Sequence, residues 1–171
     1  GWYMLENDER VYRDWKRQGH GEHINLRDAI IQSCDTYFYE MSFRTGIDNL
    51  HPFLSQFGFG QNTGLDIGNA LPALLPDREW RKTYRGRSWY AGDTLNLGLG
   101  QGVMLATPLQ LATAMNVYAA KGEWHRAKLV QLIDGQPLIE DSKPENIVLK
   151  NPDNWNKMNN AMEGVIKHYL G

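Results

Sequence analysis

The chain has one cysteine, Cys34. No internal disulfide can therefore form, and the cysteine count alone leaves the redox compartment open. No apolar run approaches the roughly 18 residues of a membrane-spanning helix, and no signal-peptide pattern opens the sequence. Neither sign of charge dominates, with 18 Lys and Arg against 20 Asp and Glu. That balance argues against broad nucleic-acid affinity, which needs clustered cations to displace counterions from phosphates. Repeats, low-complexity tracts and linkers rich in Pro, Gly and Ser are also missing. What is present is 171 residues, 42% of them hydrophobic and 11% aromatic. A chain of that size can bury about two-thirds of its unfolded surface, and its composition is not that of a disordered tail.

Helix signals dominate, with a minor strand component. The stretch to His23 has no helical period and reads as strand and loop. Asn25, with Asp28 at N3, caps a first helix carrying Leu26, Ala29 and Ile30. Ser33 is placed to cap a second helix through Tyr37, Phe38 and Met41, which Gly46 stops. A third helix is expected over Asp48–Phe57, with Pro52 in its first turns. Gly64–Ile67 reads as a short strand, and residues 68–87 as loop with a short helix near Trp80. The glycine-dense stretch Gly92–Gly102 reads as a loop leading into the best-signalled helix. There Thr107, Pro108 and Gln110 form a complete start, Leu111, Met115 and Tyr118 a stripe, and Gly122 the stop. Strands are expected over Lys128–Ile133 and Ile147–Leu149. A final helix begins at Asn151-Pro152, with Trp155, Met158, Met162 and Val165 on one face.

Individual motifs are weak. The Gly92–Gly102 stretch matches neither the P-loop nor the dinucleotide fingerprint, and a packed turn is its better reading. Ser33-Cys34-Asp35 has three readings: a plain helix cap, a catalytic nucleophile, which no base at a short diagnostic spacing supports, or a catalytic turn between two helices. Asp14, His20 and Cys34 offer carboxylate, imidazole and thiolate, three legitimate zinc ligands. Their spacings, five and thirteen intervening residues, fit no short zinc signature, and a packed thiol beside a loop histidine reads as well. Six tryptophans raise a sugar-stacking reading, but they are scattered through the chain, which favours core or rim packing.

The order of the motifs is specific. Ser33-Cys34-Asp35-Thr36-Tyr37-Phe38-Tyr39, Thr45-Gly46-Ile47, Phe57-Gly58-Phe59-Gly60, Thr63-Gly64-Leu65-Asp66, Gly98-Leu99-Gly100-Gln101-Gly102 and Ala106-Thr107-Pro108-Leu109-Gln110 follow one another. Together they resemble the transpeptidase domain of class B penicillin-binding proteins. Asp35, where many relatives carry Asn, and Arg13-Asp14-Trp15-Lys16 before Gly19-His20-Gly21 are most similar to the elongation-specific members.

The resemblance implies an α/β fold of the serine penicillin-binding protein/β-lactamase type, this chain supplying mostly its helical subdomain with few strands. It implies a D,D-transpeptidase that cross-links peptidoglycan stem peptides through a serine acyl-enzyme and is a target of β-lactams. Ser33 would relay a proton and Asp35 would accept a hydrogen bond from the substrate amide. Some elongation-type members hold a structural zinc at a place similar to Asp14, His20 and Cys34. A fourth ligand would come from upstream of Gly1 or from Glu22 or His23. The implied setting is the periplasmic face of the bacterial inner membrane. The implied partner is the elongation-complex membrane glycosyltransferase of the shape, elongation, division and sporulation family, with no nucleic acid. A septal class B protein, a penicillin-recognising β-lactamase or sensor, and a non-catalytic interaction or sugar-binding module are the rival readings.

The family's other two motifs are not in the chain. Ser33, Ser42, Ser55, Ser88 and Ser142 have Thr, Thr, Gly, Ala and Glu three residues on, so S-x-x-K is absent. Lys82-Thr83 is followed by Tyr84, so K-[ST]-G is absent. Residues 1–171 are therefore expected to be the middle part of a transpeptidase domain, and inactive alone.

Overall fold

Capping chemistry marks where the helices begin. The computed structural model describes residues 1–6, 8–65, 71–137 and 145–168. Strands β1 (Trp2–Met4) and β2 (Val11–Arg13) precede α1 (Leu26–Ile31), α2 (Asp35–Thr45), α3 (Ile47–Ser55), α4 (Arg78–Arg85), α5 (Ala91–Gly98) and α6 (Pro108–Ala119). A small hairpin, β3 (Leu132–Ile133) with β4 (Gln136–Pro137), and α7 (Asp153–Lys167) follow. The chain divides into two compact units. One holds Gly1–Leu50, Asp77–Val103 and the segment from Asn151; the other holds His51–Pro76 and Met104–Lys150.

In the first unit, β1 and β2 pair antiparallel with Tyr3 opposite Tyr12. Alternation sends the Tyr12 side chain inward, where Leu5, Tyr12, Tyr39 and Leu95 form a buried cluster. The Tyr12 and Tyr39 rings meet edge to face at 5.5 Å, a favoured aromatic geometry. Helix α5 lies along α2, and Gly98 sits on Ser42: a β-carbon there would stand 2.5 Å from the Ser42 β-carbon. Helix α1 packs on α7 in the same way, since a β-carbon at Gly164 would meet Ile31 Cδ1 at 2.5 Å.

The second unit is organised by Gln110. The Thr107 hydroxyl accepts from Gln110 N–H at 3.1 Å, and Gln110 Oε1 accepts from Thr107 N–H at 2.9 Å. The rest of that amide is fully buried. Its Nε2 donates to the carbonyls of Gln61 and Pro72, both at 2.8 Å. One side chain thus caps α6 and ties two loops to it.

Several expectations are corrected. Gly92–Gly102 is mostly helix, because Asp93 accepts from the Tyr90 N–H at 3.0 Å and starts α5. Gly92 and Gly98 serve close packing within the helix, against Tyr12 and Ser42. Ser33 does not cap α2; Cys34 holds the cap position and makes no side-chain cap bond. The α6 stripe is also displaced. Leu111 and Met115 are exposed, and Gln110, Thr113, Ala114 and Val117 face inward. On α7, Trp155 is buried as expected, but Met162 is exposed while Ala161 and Gly164 are buried. Within Lys128–Ile133 only Leu132–Ile133 is strand, and Ile147–Leu149 is not. Gly64 and Leu65 are not strand, and Asp66 and Ile67 lie outside the described residues.

Gly98→Ala sets a gain in helix propensity of about 1 kcal/mol against overpacking of roughly 1–3 kcal/mol. The clash involves the short, fixed Ser42 side chain, so overpacking wins. We expect a lower denaturation midpoint; an unchanged or higher midpoint would contradict this packing.

Candidate functional site: a serine turn over a buried Asp-His-Cys cluster

Helix α1 ends in a tight reversal. Ser33 N–H donates to Ile30 O at 3.2 Å and Cys34 N–H to Ala29 O at 2.9 Å. This geometry needs a left-handed residue, and Ser33 takes it with φ 51°. A non-glycine residue pays roughly 1–2 kcal/mol for that backbone, so its surroundings must hold it there. The Ser33 side chain is exposed, Cys34 is buried and Asp35 is half-buried. Alternate side chains of a three-residue turn thus face opposite ways.

Beneath the turn lies Asp14, which β2 delivers. Its side chain is fully buried, with three definite donors and a ring nitrogen of His20 around it. Oδ1 accepts from Lys16 N–H at 2.9 Å and faces His20 Nε2 at 3.0 Å. Oδ2 accepts from the Thr36 N–H at 3.1 Å and the Thr36 hydroxyl at 3.3 Å. The Thr36 amide is one of the first-turn donors that an α-helix leaves unpaired. The buried carboxylate therefore caps α2 from another element, the work expected of Ser33. Burial alone would raise the Asp14 carboxyl, but the Lys16 and Thr36 amides and His20 outweigh it and hold it below the usual carboxylate value. Asp35 moves the other way. Burial and the charge of Asp14 raise it, against the Trp15 N–H that donates to its Oδ2 at 3.3 Å.

His20 and Cys34 complete the cluster. The ligand atoms of Asp14, His20 and Cys34 all lie within 4.8 Å of one another. Because a carboxylate only accepts, the Thr36 hydroxyl donates to Asp14, and the Cys34 thiol, 3.2 Å away, donates to Thr36. His20 Nδ1 faces Gln32 Oε1 at 3.2 Å. A neutral imidazole carries one N–H. That single N–H cannot serve both the Gln32 oxygen and the Asp14 carboxylate; with a cation held between Nε2 and Asp14, the N–H stays on Nδ1 and donates to Gln32. Thiolate, imidazole and carboxylate in a dry pocket are a donor set suited to Zn2+. Among the described residues neither Glu22 nor His23 joins the cluster; both are exposed.

All five sequence-identified site residues thus gather at one place in the first unit. Three neighbours were given no role from the sequence, though Thr36 and Trp15 stand inside its motifs: Thr36 and Gln32, which orient the cluster, and Trp15, whose Nε1 donates to Ser33 O at 2.8 Å. Polar residues acting through distant loops leave no spacing pattern to read. Lys82-Thr83 lies on α4, a helix, not on a substrate-anchoring strand. Of the tryptophans, Trp155 is buried, while Trp2 and Trp15 are exposed.

A helical domain presenting an exposed serine and a carboxylate at a helix junction is an arrangement with known counterparts. The family model for the penicillin binding protein transpeptidase domain matches residues 2–169, and the chain belongs to that family. Its fold is the transpeptidase fold, represented here mainly by helices. The chain is 38% identical to the peptidoglycan D,D-transpeptidase MrdA of Acinetobacter baumannii, over all of this chain and 26% of that protein. It superposes on the crystal structure of Pseudomonas aeruginosa PBP2 in complex with WCK 5153 with a TM-score of 0.95 and 44% identity, covering 100% of this chain and 39% of that one. The complex between PBP2 and MreC from Helicobacter pylori gives a TM-score of 0.83 at 31% identity, over 98% of this chain and 30% of that one. The chain therefore spans a quarter to two-fifths of the length of these relatives. No helix among the described residues is long and apolar enough to cross a membrane.

Proposed function

We propose that the protein containing this chain is a peptidoglycan D,D-transpeptidase of cell elongation that works through a serine acyl-enzyme and is acylated by β-lactams. The observation that carries this reading is Ser33, exposed on a left-handed backbone beside Asp35, in a chain that belongs to the family along nearly its whole length. The nucleophile and its lysine, and the strand that binds the peptide carboxylate, belong to parts of the protein outside this chain. Ser33 Oγ passes the proton from the lysine to the leaving amine. Asp35, acceptor-only when ionised, takes the N–H of the substrate or antibiotic amide. Relatives named MrdA and PBP2 favour elongation over the septal and β-lactamase readings.

The reading extends to setting and partners. The catalytic domain works in the periplasm, anchored in the inner membrane. It meets peptidoglycan stem peptides and a membrane glycosyltransferase of the shape, elongation, division and sporulation family. The structure of a relative with MreC supports an elongation assembly. Asp14, His20 and Cys34 hold a structural Zn2+, with a fourth ligand from outside this cluster. Bound there, the ion would cross-link β2, the His20 loop and the start of α2. Gln32, accepting from Nδ1, directs Nε2 into the site, the usual task of a partner behind a ligating histidine.

Two measurements on the intact protein test this. With a fluorescent penicillin, the wild type forms a covalent adduct and Ser33→Ala slows its formation by about a hundredfold or more; an adduct formed at the wild-type rate removes Ser33 from the relay. Metal analysis should find about one zinc per chain, falling toward zero in Cys34→Ser. Unchanged stoichiometry would remove Cys34 from the site.

A further inference from the structure

We infer that Trp15 is a positioning residue for Ser33, acting through its indole N–H; this rests on the acyl-enzyme reading above. Trp15 is 64% exposed, so burial of its ring contributes little of what a tryptophan normally adds to stability. Its hydrogen bonds are the feature that needs explaining. Nε1 is shared between two consecutive carbonyls, Ser33 O at 2.8 Å and Gln32 O at 3.1 Å. These are carbonyls past the end of α1, where no intrahelical partner exists. The backbone N–H of the same residue donates to Asp35 Oδ2 at 3.3 Å. The ring meets His20 edge to face at 5.7 Å.

These contacts have a mechanical consequence. Ser33 is held in the left-handed region, a conformation that relaxes unless both flanking peptides are fixed. Its N–H is pinned by Ile30 O and its carbonyl by the indole. With both peptides held, the direction of Oγ is reduced to one side-chain torsion. Asp35 is treated in parallel: Trp15 N–H occupies Oδ2, which leaves Oδ1 to accept an incoming amide. The indole therefore sets the serine that relays a proton, while the main-chain N–H of the same residue, independent of the side chain, holds the carboxylate that reads the substrate. It sits next to Asp14 in sequence, so the element that supplies the buried carboxylate also supplies the clamp.

The test uses the intact protein and the rate of acylation by a fluorescent penicillin. Trp15→Phe keeps an aromatic ring and loses the N–H. Replacing Trp15 with 3-benzothienylalanine keeps the bicyclic shape and the His20 contact and loses the same N–H. Both are expected to slow acylation about tenfold, the scale of one hydrogen bond, with an unchanged thermal midpoint. Combined with Ser33→Ala, Trp15→Phe should add little further loss, because the two act through one group. Wild-type acylation in both single variants overturns the inference while leaving the acyl-enzyme reading intact. A loss that multiplies with that of Ser33→Ala also overturns it, since Trp15 would then act elsewhere. If Ser33→Ala itself acylates normally, the relay reading falls and the inference falls with it.

Discussion

One buried carboxylate holds this site together. Asp14 reaches the interior from β2 and finds partners from three directions: its own loop at Lys16, the ring of His20, and the first turn of α2 at Thr36. A charged group taken out of water is costly unless fully hydrogen-bonded, and here both oxygens are engaged. The arrangement also satisfies an amide that the α2 start leaves open, because Cys34 provides no cap. Removing the carboxylate would leave the Thr36 amide unpaired and His20 facing nothing. The β1–β2 pair, the His20 loop and the Ser33 turn are therefore tied together, and the position of Ser33 depends on that.

This dependence explains how an exposed serine can be both strained and ordered. Surface residues usually relax out of a left-handed backbone. Ser33 does not, because Cys34 behind it is buried and Trp15 in front of it holds its carbonyl. The cluster below the turn and the hydroxyl above it are successive residues of one segment. A metal ion bound by Cys34 would act on Ser33 through a single peptide link.

Much of the fold was legible because its signals were local. Asn25 with Asp28 starts α1, Thr107 with Gln110 starts α6, and Gly46 ends α2, each as its chemistry required. The failures have a shared cause, which is tertiary competition. Ser33 is a good cap residue, but Asp14 supplied the bond from nineteen residues earlier in the chain. Glycines suggested a loop at Gly92–Gly102, but Tyr12 and Ser42 press on Gly92 and Gly98 and call for bare backbone within α5. On α6, Gln110 took the inward position that apolar periodicity assigned to Leu111, because two loop carbonyls needed its amide. Ser33, Asp35 and the Asp14, His20, Cys34 set came from motif order and ligand chemistry. Trp15, Gln32 and Thr36 could not, since their roles exist only once the turn has closed.

The claim that Asp14 organises the site is tested most directly by amide exchange at Thr36 in the intact protein, read at residue resolution. First-turn amides normally exchange freely for want of a partner. Donation to a buried carboxylate should slow Thr36 by about tenfold or more. In Asp14→Ala, which leaves no acceptor, the protection should vanish at Thr36 while Leu95, in the buried core, stays protected. Free exchange at Thr36 in the wild type, or protection that survives Asp14→Ala, would contradict the account.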